Sequence, residues 1–162
     1  MLAYLSGSIE FADDAGKAWR HELTPFLQQV LGHRVYDPAA DEKKNLTEEE
    51  VAHFRSWKTT EPERFRSTVR KIIHWDLDLI ETQADYLICY WDTASARGGG
   101  TQAELTAAFR KGLPVYLVTE LPPSEISGWV LGCAERIFAN FDELKAFLLA
   151  RYGTTADSSP RL

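Results

Sequence analysis

Tyr86-Leu87-Ile88-Cys89-Tyr90-Trp91 leads, after Asp92 to Arg97, into Gly98-Gly99-Gly100-Thr101-Gln102-Ala103-Glu104. The first run is apolar throughout, as a central strand of a parallel sheet must be when both its faces are covered. The second is a glycine loop that opens a helical pattern over residues 105–111. Glycines let a backbone approach a ligand closely and turn N–H groups toward it. The helix N-terminus behind them carries about half a positive charge and favours an anion. Glu104 stands one turn inside that helix. Strand, glycine loop, helix and early carboxylate together describe a ligand cradle with a candidate nucleophile. Thr101-x-x-Glu104 also fits a capping box, in which both side chains only satisfy the first backbone N–H groups.

Outward from this stretch, strand and helix signals alternate, which favours a parallel sheet covered by helices. Residues 2–6 read as a first strand. A helix is expected over 14–31, with Trp19, Leu23, Phe26, Leu27 and Val30 as its stripe and Pro25 as a kink or restart. Residues 33–36 give a short second strand, closed by Asp37-Pro38, and 39–44 a polar loop. Thr47-x-x-Glu50 reads as a capping box opening a helix to about residue 58. Pro62 suits a first helical position, and a long helix runs on to about Glu81.

Beyond the glycine loop, the helix ends near Gly112 and residues 114–119 form a fourth strand. Residues 121–127 read as loop. Residues 129–134 fit either a strand or a short helix, and Ile137-Phe138 a last edge strand. Asp142 is the expected cap of a final amphipathic helix through Leu144, Phe147, Leu148 and Tyr152. The fold expected is one α/β domain over residues 1–152, a three-layer sandwich on a parallel Rossmann-like, flavodoxin-like sheet of four or five strands. A polar, disordered tail is expected over 153–162.

The 162 residues suffice for one domain with a proper core, and 44% hydrophobic with 26% charged residues is ordinary for a soluble globular protein. A net charge of −6 argues against a partner bound through its phosphates, hence no nucleic acid. No apolar run approaches the ~20 residues of a membrane span, and the first residues lack a basic leader. Cys89 and Cys133 lie in apolar surroundings and are expected as buried free thiols in a reducing, cytoplasmic setting. Four histidines and two cysteines show no ligand spacing, so no metal is expected.

The helix after Pro62 carries a second carboxylate of interest. Its stripe is Phe65, Val69, Ile72, Asp76 and Ile80, so Asp76 falls on the core-facing side while Asp78 shares the polar side with Lys71, His74 and Glu81. A buried carboxylate is costly unless it is bonded, paired or lining a pocket, and burial raises its pKa. The alternative is an Asp at an exposed last turn, or one satisfied by backbone. Asp92 follows the third strand, where open parallel sheets meet ligands, and equally suits a loop-forming Asp. Ser6-Gly7-Ser8 ends the first strand in small residues able to approach the same ligand. Glu10 and Asp13 fit either a ribose contact or the start of the first helix, the latter preferred for Asp13.

These pieces resemble, in order, the nucleoside 2-deoxyribosyltransferase-like family, including its nucleotide N-glycosidase relatives. Tyr4-Leu5-Ser6-Gly7-Ser8 is similar to the family's first-strand motif, Asp76-Leu77-Asp78-Leu79-Ile80 with Ala84-Asp85 to its Asp-Leu-x-x-Ile helix, and Gly100-Thr101-Gln102-Ala103-Glu104 to its Gly-Thr-x-x-Glu motif. The resemblance spans residues 2–120. It implies that Glu104 attacks the anomeric carbon of a nucleoside or nucleoside 5′-phosphate and forms a glycosyl-enzyme ester. It implies that Asp76 protonates the leaving base or holds the polar residue that does so. Ser6, Gly7, Ser8, Asp92, Gly98, Gly99, Gly100 and Thr101 would bind the substrate, without cofactor, in a homodimer or larger homo-oligomer. The chain departs from the pattern in three places. The Asp76–Asp85 spacing is one residue longer, Ser8 replaces the usual proline, and Gly98 stands where transferases often have an Asp. The last change removes a repulsive charge and suits a 5′-phosphate, with Arg97 as a possible further donor. A non-catalytic nucleotide-sensing module using the same pocket is the alternative function.

Overall fold

A computed structural model describes residues 1–41 and 43–153. The tail expected beyond Gly153 lies outside the described residues. Five strands, β1 (Leu2–Gly7), β2 (Arg34–Tyr36), β3 (Tyr86–Tyr90), β4 (Val115–Val118) and β5 (Arg136–Phe138), form one parallel sheet in the order β2-β1-β3-β4-β5. β1 and β4 are buried along their whole length and β3 nearly so. The edge strands β2 and β5 have three residues each, a length that leaves little unpaired backbone to recruit another chain.

The helices are α1 (Lys17–Pro25), α2 (Glu48–Thr60), α3 (Pro62–Thr82), α4 (Gly100–Lys111), α5 (Gly128–Cys133) and α6 (Phe141–Tyr152). Strand side chains alternate between two layers because the strand period is two. Tyr4, Leu87, Cys89, Trp91 and Leu117 pack with Ile80, Leu105 and Val130 of α3–α5. Ala3, Leu5, Tyr86, Ile88 and Tyr116 pack with Leu23 and Leu27 near α1 and with Leu144 and Leu148 of α6. Each such aliphatic side chain, fully buried, contributes about 1.5–3 kcal/mol. The same alternation sends Ser6 to the Tyr4 side, toward α4.

The strand order reverses direction at β1: β2 lies on one side and β3 to β5 on the other. Open α/β sheets bind ligands in the crevice beyond the carboxyl ends of the strands at such a switch point. Here that place is the end of β1 and β3, faced by the N-terminus of α4.

Local differences from the expected elements have physical causes. The first helix starts at Lys17, behind Gly16 in a left-handed conformation, φ 68°. Asp14, not Asp13, does the capping: its carboxylate accepts from the N–H of Gly16 (2.8 Å) and Ala18 (2.7 Å). These bonds hold its pKa below the usual range. Pro25 supplies no N–H, so the regular helix ends there and a π-helical turn, Phe26–Val30, follows. The changed register leaves Val30 57% exposed, and within the regular turns Arg20 lies on the buried stripe with Leu23. The ambiguous stretch from Trp129 resolves as helix to Cys133, with Ser127 as cap and Ala134 already extended. The last helix is capped by Asn140, which accepts from the Glu143 N–H; Asp142 lies in its first turn.

The capping box at Thr47 and Glu50 forms as expected, in both directions. Thr47→Ala is expected to cost about 1 kcal/mol of unfolding free energy, the usual worth of a cap, measured by urea titration. Among the described residues no helix is long and apolar enough to cross a membrane. Cys89 and Cys133 are buried free thiols.

Candidate active site

Glu104 points from the first turns of α4 back onto β1. One carboxylate oxygen accepts from the Tyr4 hydroxyl at 2.9 Å and the other from the Ser6 hydroxyl at 2.5 Å. The capping alternative for this residue is thereby overturned. The N-cap of α4 is Gly99, no side chain caps the helix, and Thr101 is a buried residue inside it. Glu104 stays partly accessible at its rim while protein crowds the carboxylate. Burial, with the negative charge of Asp76, pushes its pKa up to about 7, against the Ser6 and Tyr4 bonds and the Lys44 charge that favour the anion. Tyr4 is fully buried beside that carboxylate and is held well above the usual tyrosine range, so it remains a donor.

Asp76 is buried, as its place on the α3 stripe required. Its donors are side chains, not backbone. Lys44 Nζ lies 2.8 Å from both of its oxygens, and the Tyr36 hydroxyl donates to Oδ1 at 3.1 Å. Burial raises the Asp76 pKa, opposed by Lys44 and Tyr36. Asp41 Oδ2, 3.0 Å from the Tyr36 oxygen, competes for the single proton of that hydroxyl, and Trp75 Nε1 donates to the Tyr36 oxygen at 3.0 Å. The Tyr36 ring packs on Tyr4 with centroids 5.3 Å apart. Two hydrogen-bonded groups, Glu104 with Tyr4 and Ser6, and Asp76 with Lys44 and Tyr36, therefore meet where the Tyr4 and Tyr36 rings pack. Sequence reading missed Tyr36 and Lys44, the latter placed in a featureless polar loop.

The remaining expected site residues divide. Gly7 is required by packing: a Cβ there would come within 3.1 Å of the Trp19 ring and of the Tyr90 carbonyl oxygen. Its own carbonyl accepts from Arg20 Nη2 at 3.0 Å. Ser8 and Asp92 line a cavity of about 290 Å³ with Trp19, Tyr90 and Phe141, on the α1 and α6 side rather than with Glu104. Asp92 takes the loop-forming role, accepting from the Ser95 N–H at 2.7 Å. Glu10 is paired with Lys58 at 2.5 Å. Gly98, Gly99 and Gly100 all have negative or extended φ. A Cβ at Gly99 or Gly100 would meet nothing within 4 Å. The fold itself thus has no steric need for glycine at these two places. Arg97 lies with its guanidinium 4.8 Å from the Phe11 ring centroid.

The larger groove, about 790 Å³, runs along the outer face of α4 between Glu81, Gln102, Arg110 and Trp129 and is not lined by Glu104. Arg20, also missed, is fully buried; Nη1 donates to the Gly16 carbonyl at 2.7 Å and Nη2 to that of Gly7, tying α1 to the end of β1. An arginine three and seven residues before Leu23 and Leu27 was its one readable signal. Among the described residues no group of three or more His, Cys, Asp or Glu side chains is arranged to hold a metal ion.

No family model and no curated protein matches this sequence. In structure the chain is similar to a 2-deoxyribosyltransferase from the psychrotolerant bacterium Bacillus psychrosaccharolyticus, with a TM-score of 0.62, 17% identity and 100% of both chains covered. The likeness extends over the whole chain and establishes a shared α/β fold, a five-stranded parallel sheet flanked by helices.

Proposed function

We propose that this protein cleaves or transfers at the N-glycosidic bond of a nucleoside or nucleoside 5′-phosphate, with Glu104 as the nucleophile. The observation that carries the reading is the pair of hydrogen bonds that the Glu104 carboxylate accepts from Tyr4 and Ser6 at the switch point of the sheet. A carboxylate held by two hydroxyl donors is fixed in direction, and a pKa of about 7 gives it both basicity and a substantial ionised fraction at neutral pH. Its oxygen attacks the anomeric carbon as the C1′–N bond breaks. The electrons of that bond leave with the base, and an ester remains on Glu104. Water, or a second base, then attacks the same carbon and returns the carboxylate.

Gly99 and Gly100 leave open space at the positive end of α4, which suits a 5′-phosphate. The solved transferase of the same fold supports a nucleoside as the substrate class. The resemblance also carries the expectation of a homo-oligomer, and Trp129 and Phe109, 65% and 57% exposed, offer apolar surface for one.

Intact-protein mass spectrometry after incubation with a panel of nucleosides and 5′-nucleotides tests this reading, with free base measured by chromatography. Base release by wild type, with or without a sugar adduct, and neither from Glu104→Gln is the expected result. Thermal stabilisation of both proteins by a ligand without base release would instead identify a nucleotide-sensing module.

A further inference from the structure

Lys44 sits on the loop between β2 and α2, yet its side chain is only 9% exposed and that of its partner Asp76 only 11%. Its backbone has φ 34° and that of Asn45 φ 64°, in the left-handed region that costs a non-glycine residue about 1–2 kcal/mol. Burying an ion pair at the end of a strained loop stabilises a fold little, if at all. The arrangement therefore points to a use for the ammonium where it stands.

Chemistry singles out the lysine within the pair. Both Asp76 oxygens already accept, from Lys44 twice and from Tyr36 once, so an ionised Asp76 has no proton to give. An ammonium carries three N–H groups. Two face Asp76, and among the described residues none accepts the third. The pair also lies near the nucleophile: Tyr36, which donates to Asp76, packs its ring on that of Tyr4, whose hydroxyl holds Glu104.

We propose that Lys44 is the general acid of the glycosyl-transfer step, donating a proton to the departing nucleobase, and that Asp76 is the positioning residue that holds it. This rests on the reading of Glu104 as nucleophile. As the Glu104 oxygen bonds to C1′, the C1′–N electron pair moves onto the base. The third Lys44 proton goes to a ring nitrogen or carbonyl oxygen of that base, leaving a neutral amine hydrogen-bonded to Asp76. When water attacks the ester, its proton returns to the Lys44 amine and the C1′–O electrons to Glu104.

The test compares two purine nucleosides, one unmodified and one methylated at N7. The methylated base is cationic and departs neutral without any proton. Lys44→Met is expected to lose about 10²–10⁴-fold in turnover on the unmodified substrate and less than tenfold on the methylated one. Lys44→Arg keeps a cation beside Asp76, and with it the fold, but a guanidinium does not release a proton. It is expected to lose activity on the unmodified substrate alone. Glu104→Gln loses activity on both. Equal losses on the two substrates, or none, from the Lys44 variants overturn the acid role while leaving the nucleophile intact. No base release by wild type from these two substrates or from any nucleoside or 5′-nucleotide of the panel removes the glycosyl reading, and the Lys44 role with it.

Discussion

Replacing Glu104 by Gln is expected to lower turnover by at least about 10³-fold while leaving ligand affinity largely unchanged. The amide keeps the shape and one acceptor for Tyr4 and Ser6 but is too weak a nucleophile to form the ester. In the wild type, kcat/KM is expected to fall about tenfold per pH unit below about 7, as the carboxylate takes up its proton. The same shift has a consequence for stability with a definite sign. The folded pKa, about 7, lies above the ordinary 4.5, so the native state binds this proton more tightly than the unfolded chain. Ionised Glu104 therefore costs nothing below pH 4.5, costs progressively more between 4.5 and 7, and reaches its full penalty above 7. At about 1.4 kcal/mol per unit the penalty is up to about 3 kcal/mol. Glu104→Gln should be more stable than wild type by up to that amount at pH 8, with the gain vanishing at pH 4. Urea titrations at the two pH values measure it, and a gain independent of pH would mean that another group carries the shift.

Arg20→Met is expected to destabilise the protein by about 3–5 kcal/mol, the cost of breaking a buried charged network from one side. Arg20 is fully buried, and its guanidinium serves the carbonyls of Gly16, Gly7 and Leu5 at 2.7, 3.0 and 3.4 Å. Its Nε lies 3.2 Å from Asp37. Methionine fills much of the volume but leaves those carbonyls without their donor and Asp37 without its opposite charge. Lysine restores the charge yet reaches only part of this set, so Arg20→Lys should recover less than half of the loss. The defect also reaches the site, because Gly7 follows Ser6 and fixes where the Ser6 hydroxyl meets Glu104. Denaturant unfolding reads the first effect and kcat the second. A loss below 1 kcal/mol would show that the carbonyls find water instead.

The elements were legible in the sequence wherever the signal was local. The apolar run Tyr86 to Trp91 specified a strand covered on both faces, and β3 is buried at the centre of the sheet. The Thr47–Glu50 box and Pro62 placed two helix starts, since capping depends on groups within one turn. Asp76 was legible as a buried carboxylate because helical spacing alone assigns a face. Local pattern stayed ambiguous where two uses share one spelling. Thr101-x-x-Glu104 has the letters of a capping box, but Glu104 is drawn across to β1 by Tyr4 and Ser6. Asp92 and Gly7 were placed near the right end of the sheet, yet strand alternation turns Asp92 to the other layer and packing against Trp19 accounts for Gly7.

By itself, then, the sequence determined the parallel α/β architecture and the two carboxylates, since periodicity and capping are written in neighbouring residues. Only the tertiary structure decided which groups surround those carboxylates. Tyr4 and Glu104 are 100 residues apart and Lys44 and Asp76 are 32 apart. Their meeting depends on strand order and on the path of a loop. Proton affinity, in turn, depends on the charges and donors that this meeting brings within a few ångströms.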